Sequence, residues 1–254
     1  MHHGHEHGMH HMHADCCNDE DFDFYCDCGC QEGRIPLIGE NAPAFEANTT
    51  QGKVNFPADY KGKWVILFSH PADFTPVCST EFMTFAAMSD DFKKLNTELI
   101  GLSIDSIHSH IGWLRSLCDI EWGPHKKGEE IPFPVIDDVS MKVAGKYGMV
   151  HDPNTTSAVR ATFIIDPEGK IRTILYYPAS TGRNMEEIMR IVVALQKADT
   201  DVCATPANWK PGDDVIIPAP GSCGAVKERA GQVNDDKNLY SYDWYLTFRK
   251  EKKK

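Results

Sequence analysis

Cys78 closes the segment Pro71-Ala72-Asp73-Phe74-Thr75-Pro76-Val77-Cys78. An apolar run, Trp64–Ser69, precedes this segment, and Phe82, Phe85 and Phe92 follow near helical spacing. A cysteine so placed lies in the first turn of a helix. Unpaired backbone N–H groups and the positive end of the helix dipole favour its thiolate there. A free thiol, with a pKa of about 8.5, is mostly protonated at neutral pH, so a sulfur nucleophile needs such help. Arg160 opens a second apolar run, and its cation could add to the effect. Thr75, three residues before Cys78, carries a hydroxyl that both donates and accepts, which suits it to orient an oxygen-rich substrate. Pro71 and Pro76 stiffen the loop. The spacing also excludes chemistry. A dithiol oxidoreductase needs C-x-x-C, and the first position is Thr75. No local signature of a cysteine protease is present. The bland alternatives are a buried inert cysteine for Cys78 and a surface ion pair for Arg160. His70 could donate to a pocket group or simply be a satisfied polar residue at a strand end.

The elements that must position these residues follow from periodicity. Trp64–Ser69 and Leu99–Ile104 are short continuous apolar runs, as expected of buried central strands. Phe133–Ile136 is a third. Ile107, Ile111, Leu114 and Cys118 mark one face of a helix, which makes Cys118 a core residue. Ser140–Tyr147 reads as a short helix ended by Gly148. Arg160–Ile165 and Ile171–Tyr177 flank Asp166-Pro167-Glu168-Gly169, a hairpin turn. Ile188, Ile191, Val192 and Leu195 mark a last long helix, after which the chain is rich in loops and then in aromatics. Alternating strands and helices predict an α/β fold, a mixed sheet flanked by helices with a C-terminal arm. His108, His110, His125 and His151 share no metal-ligand spacing with the body cysteines and are expected at the surface.

The string FSHPADFTPVC ending at Cys78 resembles the P-x-x-x-T-x-x-C signature of peroxiredoxins, in the form carried by their 1-Cys branch. Further similar strings are SIDS at 103–106, FPVIDD at 133–138, RATFIID at 160–166, YPASTGRN at 177–184 and ATPANWKPGDD at 204–214. The resemblance spans about 36–248. It implies a thioredoxin-like fold and a thiol-dependent peroxidase acting on hydrogen peroxide and organic hydroperoxides, with no cofactor required. In that reading Cys78 attacks the peroxide and Thr75 hydrogen-bonds it. Arg160 favours the thiolate and polarises the O–O bond, while Pro71 shields the pocket. Glu81 orients the arginines, Arg183 supports Arg160, and His70 stands in support. The arm implies a homodimer, and family members also form decamers. The product, a sulfenic acid, must meet a thiol. Cys223, in the Pro- and Gly-rich string Pro218–Gly224, is the expected mobile resolving thiol, forming an intermolecular disulfide with Cys78 that a thioredoxin-like protein reduces; the alternative is direct reduction of Cys78 by a small thiol, as in true 1-Cys enzymes. Two departures from relatives are visible. Lys63 stands where some 1-Cys members carry the serine of a phospholipase G-x-S-x-G. Ser241–Thr247 holds no cysteine where archaeal relatives carry a pair.

Composition bounds the rest. The 254 residues are 41% hydrophobic and 25% charged, as in an ordinary globular protein. No apolar run approaches the roughly 18 residues of a membrane span, and no signal peptide is visible, so a cytoplasmic place is expected. Residues 1–34 hold eight acids against the one base Arg34 and account for most of the net charge of −11. The body is nearly balanced, which argues against nucleic acid. The same 34 residues carry His2, His3, His5, His7, His10, His11 and His13, then Cys16, Cys17, Cys26, Cys28 and Cys30. They lack a periodic apolar face and are expected to be disordered. Imidazole and thiolate suit zinc, copper or nickel, so a metal-binding or storage role on an inert body is the alternative function. The chain therefore divides into a tail at 1–34, a peroxidase domain at 35–200 and a dimerisation arm at 201–254.

Overall fold

The computed structural model describes residues 34–150 and 157–251. A hairpin opens the fold, β1 (Phe45–Thr49) against β2 (Gly52–Phe56), and leads into β3 (Trp64–Ser69), all six residues of which are buried. Then come α1 (Pro76–Ala87), α2 (Ser89–Lys94), β4 (Thr97–Ser103), α3 (Ile107–Leu117), β5 (Val135–Asp137) and α4 (Lys142–Lys146). The hairpin β6 (Arg160–Ile165) and β7 (Ile171–Tyr177) precedes α5 (Met185–Asp201). The seven strands form one sheet in the order β2-β1-β5-β4-β3-β6-β7. β3, β4 and β5 run parallel, and β6 lies antiparallel against β3.

Both faces of β3 are covered, so successive side chains enter different cores. Ile66 and Phe68 face α1, α3 and α5 through Phe82, Phe85, Trp113, Ile188 and Val192. Val65 and Leu67 face the opposite core with Phe45, Phe56, Tyr147 and Phe163. Gly101 in β4 lets α1 approach: a Cβ there would lie 3.1 Å from Phe82 and 3.5 Å from Phe68. α1 stops at Met88, so Phe92 belongs to α2 rather than to one long helix.

The buried stripe of α3 is His110, Trp113 and Leu117, and Ile111, expected inside, is exposed. The largest ring on the helix decides the face, and Trp113 also donates from Nε1 to Ser79 Oγ at 3.1 Å. Cys118, expected in the core, caps the end of this helix and is only half-buried.

After α5 the chain forms a second sheet, β8 (Val215–Ile217), β10 (Leu246–Arg249) and β9 (Leu239–Asp243), with α6 (Cys223–Asp235) on its path. Cys203, Trp209 and Val215 pack on Ala194 of α5. α5 is thus not the last helix. Cys223, expected in a flexible loop, is the exposed first residue of α6, whose N-cap Ser222 accepts from the Ala225 N–H. A serine-capped first turn orders this segment.

Candidate active site around Cys78

The loop between β3 and α1 carries Phe74 at φ 56°, a left-handed conformation that a bulky residue adopts at a cost of about 1–2 kcal/mol. This turn brings Thr75 to the N-cap of α1, with Pro76 at the first helical position. Proline suits that position because it has no N–H to leave unpaired. The Thr75 hydroxyl does not cap the helix. It donates to the Ala72 carbonyl at 2.8 Å, so its remaining capacity toward a ligand is as an acceptor. Pro71 is half-buried beside it.

Cys78 is fully buried in the first turn of α1. Arg160 Nη1 lies 3.2 Å from its Sγ and 2.9 Å from Glu81 Oε2. Two further contacts fix this guanidinium, since Nε and Nη2 both donate to the Ala179 carbonyl, at 3.1 and 2.8 Å. Glu81, one helical turn from Cys78, also accepts from Arg183 through Nε at 3.0 Å, Nη2 at 2.6 Å and the backbone N–H at 2.8 Å. Arg183 in turn donates to the Ala161 carbonyl and lies over the Phe68 ring. Burial alone would raise the Glu81 carboxyl, but the Arg183 guanidinium, its hydrogen bonds and Arg160 outweigh it and hold the group below the ordinary carboxylate range. Two buried cations thus share one carboxylate. One positive charge is left over beside Cys78.

His70 ends the buried run of β3. β3 pairs with β6 from Val65↔Ile165 to Phe68↔Thr162, and the ladder stops there, two residues short of both His70 and Arg160. Its Nε2 lies 2.9 Å from Asp73 Oδ1, and the Asp73 carboxylate also meets His110 Nδ1, at 2.8 and 3.0 Å. His110 and His125, expected at the surface, are both fully buried. The backbone supplies their partners: His110 Nε2 faces the Ile136 carbonyl at 3.0 Å, and His125 Nε2 faces that of Leu117 at 3.4 Å. The structure therefore joins Cys78, Arg160, Glu81 and Arg183 directly and places Thr75, Pro71 and His70 in the adjoining loop and strand. Cys223 begins α6 and does not belong to this group. Asp73, His110 and the Ala179 carbonyl are participants that sequence reasoning missed. The spacing of His70 and Asp73 was a usable signal, whereas His110 was hidden by the choice of helix face. Lys63 pairs with Glu98 at 2.6 Å. The tail histidines and cysteines, and His151, lie outside the described residues.

The AhpC/TSA family matches residues 38–174, and the C-terminal domain of 1-Cys peroxiredoxin matches 194–231. A peroxiredoxin of Methanosarcina mazei is 62% identical over 221 residues, covering 87% of this chain and 100% of its own. One from Thermotoga petrophila is 51% identical over 223 residues, covering 86% and 99%. Among solved structures, the yeast mitochondrial 1-Cys peroxiredoxin superposes with a TM-score of 0.74 at 41% identity, covering 85% of this chain and 100% of that one. A cysteine-to-serine mutant of peroxiredoxin 6 from Arenicola marina gives 0.72 at 34%, covering 86% and 100%. A thioredoxin-like sheet with a buried cysteine at a helix start beneath an arginine defines a thiol-dependent peroxidase. The chain belongs to the peroxiredoxin family, whose members use peroxide and a thiol reductant and need no cofactor.

Proposed function

We propose that Cys78 is the sulfur that attacks the peroxide, on hydrogen peroxide and organic hydroperoxides alike. The observation that carries this reading is the 3.2 Å contact between Arg160 Nη1 and Cys78 Sγ inside a cluster of two cations and one carboxylate. The Cys78 thiolate attacks one peroxide oxygen and the O–O bond breaks. The departing oxygen takes up a proton as water or alcohol, and Cys78 becomes a sulfenic acid. Arg160 polarises the O–O bond, Thr75 Oγ1 accepts the peroxide O–H, and Pro71 shields the loop. Glu81 and Arg183 keep Arg160 in place. A thiol then condenses with the sulfenic acid, releasing water, and a second thiol reduces the disulfide.

Cys223 is the exposed thiol among the described residues, which supports it as the first of these thiols, reaching Cys78 of a second subunit through arm exchange in a homodimer. A decamer of such dimers follows the family. Because Cys78 is buried, that route requires the first turn of α1 to open. The external reductant is a thioredoxin-like protein or a small thiol. The yeast mitochondrial 1-Cys peroxiredoxin has its thiol resolved via glutathione and thioredoxin systems, which agrees with that choice. Zinc, copper or nickel on the tail is a separate property, tested by calorimetry on full-length protein and on protein lacking residues 1–34.

Peroxide consumption with a thiol reductant tests the central reading. Cys78→Ser is expected to abolish it, and Cys118→Ser and Cys203→Ser to retain it. Wild-type turnover in Cys78→Ser would refute the assignment. Non-reducing gels after peroxide test the second step, where a cross-linked dimer surviving in Cys223→Ser would exclude that residue.

A further inference from the structure

The group formed by His70, Asp73 and His110 joins three elements and is fully or almost fully buried. Its proton inventory follows from which atoms can only accept. His110 Nε2 faces the Ile136 carbonyl at 3.0 Å, so Nε2 bears a hydrogen. His110 Nδ1 faces both Asp73 oxygens at 2.8 and 3.0 Å, so a hydrogen sits in that contact as well. Asp73 Oδ1 then receives His70 Nε2 at 2.9 Å. If His70 Nε2–H donates, the group is neutral overall and His70 Nδ1 is a bare lone pair. The reverse arrangement, a protonated Asp73 donating to His70, leaves a net buried positive charge and an unpaired N–H on His70. That charge and that N–H each carry a large desolvation cost. The first arrangement therefore holds. The two histidines also outweigh burial to keep the Asp73 carboxyl below its ordinary range, as its ionised form requires.

His70 Nδ1 is buried with no hydrogen-bond partner. The ring lies against Phe82 of α1 and Trp113 of α3, with centroids 4.8 and 5.0 Å away, on the face of the sheet that carries Cys78. We infer that Asp73 and His110 are positioning residues that hold His70 as its Nε2–H tautomer, keeping Nδ1 as a bare acceptor on the α1 side of the sheet. The backbone N–H of Asp73 is itself pinned by Asp105 Oδ2 at 3.0 Å, so the loop cannot turn its carboxylate away freely. The use of that acceptor rests on the peroxidase reading. The arginines supply donors beside Cys78, and hydrogen peroxide brings two O–H groups, one for Thr75 Oγ1 and one for which His70 Nδ1 is the acceptor.

The test uses full-length protein labelled with 15N-histidine. The ring nitrogens of His70 and His110 are assigned by loss of signals in His70→Gln and His110→Gln. In wild type His110 is expected to carry hydrogens on both nitrogens, and His70 on Nε2 alone. Asp73→Ala is expected to let His70 exchange between tautomers and to slow Cys78 oxidation by peroxide about tenfold, the scale of a modest misplacement of a reacting group. Asp73→Asn, which keeps one acceptor for His70, is expected to strip the Nδ1 hydrogen from His110 and to slow oxidation less, about threefold by the same reasoning. Asp73→Asn also serves where Asp73→Ala fails to fold. A hydrogen on His70 Nδ1 in wild type, or an unchanged His70 tautomer and oxidation rate in Asp73→Ala, overturns the inference. Wild-type protein with the stated tautomers but no peroxide consumption sinks the peroxidase reading instead and supports the tautomer assignment.

Discussion

Arg160, Glu81 and Arg183 meet beneath Cys78 with side chains at most 2% exposed, whereas Lys197, Asp201, Arg249 and Glu251 meet near Cys203 at 20–31%. The chemistry is the same in both places: cations and carboxylates within hydrogen-bond distance. Two things differ. The second group is balanced, two cations to two carboxylates, and water reaches it. The first is dry and has one cation too many for its single carboxylate. The sulfurs accordingly meet opposite surroundings. The Cys203 thiol is pushed up, by burial first and by Asp201 next, with Arg249 and Lys197 opposing. Cys78 has Arg160 at 3.2 Å and no carboxylate of its own. Charge surplus and dryness together, rather than the presence of arginine near cysteine, separate the surroundings of Cys78 from those of Cys203.

The contrast between the two clusters breaks first at Arg160. Arg160→Met keeps length and removes the cation, and it is expected to lower the rate of peroxide reduction about a thousandfold, the scale of losing one preorganised charge at a reacting centre. Stopped-flow peroxide consumption measures it, and a loss under tenfold would place the charge surplus elsewhere. Glu81→Gln strips the carboxylate from two buried cations and is expected to cost about 3 kcal/mol in denaturant unfolding, as for a broken buried pair. Its pH dependence sharpens the point. Glu81 and Asp73 are held below their unfolded values, so the stability they give is present above the ordinary carboxylate range and lost as pH falls through the folded values. The unfolding midpoint of wild type is expected to drop from pH 7 toward pH 3, and that of Glu81→Gln to drop less. Thr75→Val removes the acceptor next to Cys78 and is expected to slow peroxide reduction about tenfold, with Thr75→Ser restoring most of it. The smallest effect belongs to the surface group. Lys197→Met is expected to cost about 0.5 kcal/mol and to leave peroxide reduction intact.

The loop that leads to Cys78 was legible in the sequence because each of its constraints is local: a buried strand, two prolines, a threonine and a cysteine at a helix start. Arg160 and Arg183 were legible through the family strings that carry them. What was hidden depends on tertiary choice. The periodicity of α3 offered two faces, and apolar counting selected Ile107, Ile111 and Leu114. The fold instead buries Trp113, because its ring fills the space beside Phe82 at 4.6 Å. His110 then turns inward, where Asp73 and a β5 carbonyl satisfy it. A polar residue becomes a core residue when its partners come from other elements, and no local pattern announces that. Cys223 illustrates the converse. Glycines and prolines around it suggested a loop, yet Ser222 caps a helix that begins at Cys223.

The role of Cys78 is tested most directly by trapping the oxidised sulfur. Full-length reduced protein receives one equivalent of hydrogen peroxide in the presence of dimedone, which captures sulfenic acids, and the adduct is located by peptide mass spectrometry. The adduct is expected on Cys78, with Cys203 and Cys118 recovered as free thiols, and it is expected to vanish in Arg160→Met under the same exposure. An adduct on Cys203, Cys118, Cys223 or a tail cysteine, with Cys78 still a free thiol, would contradict the assignment.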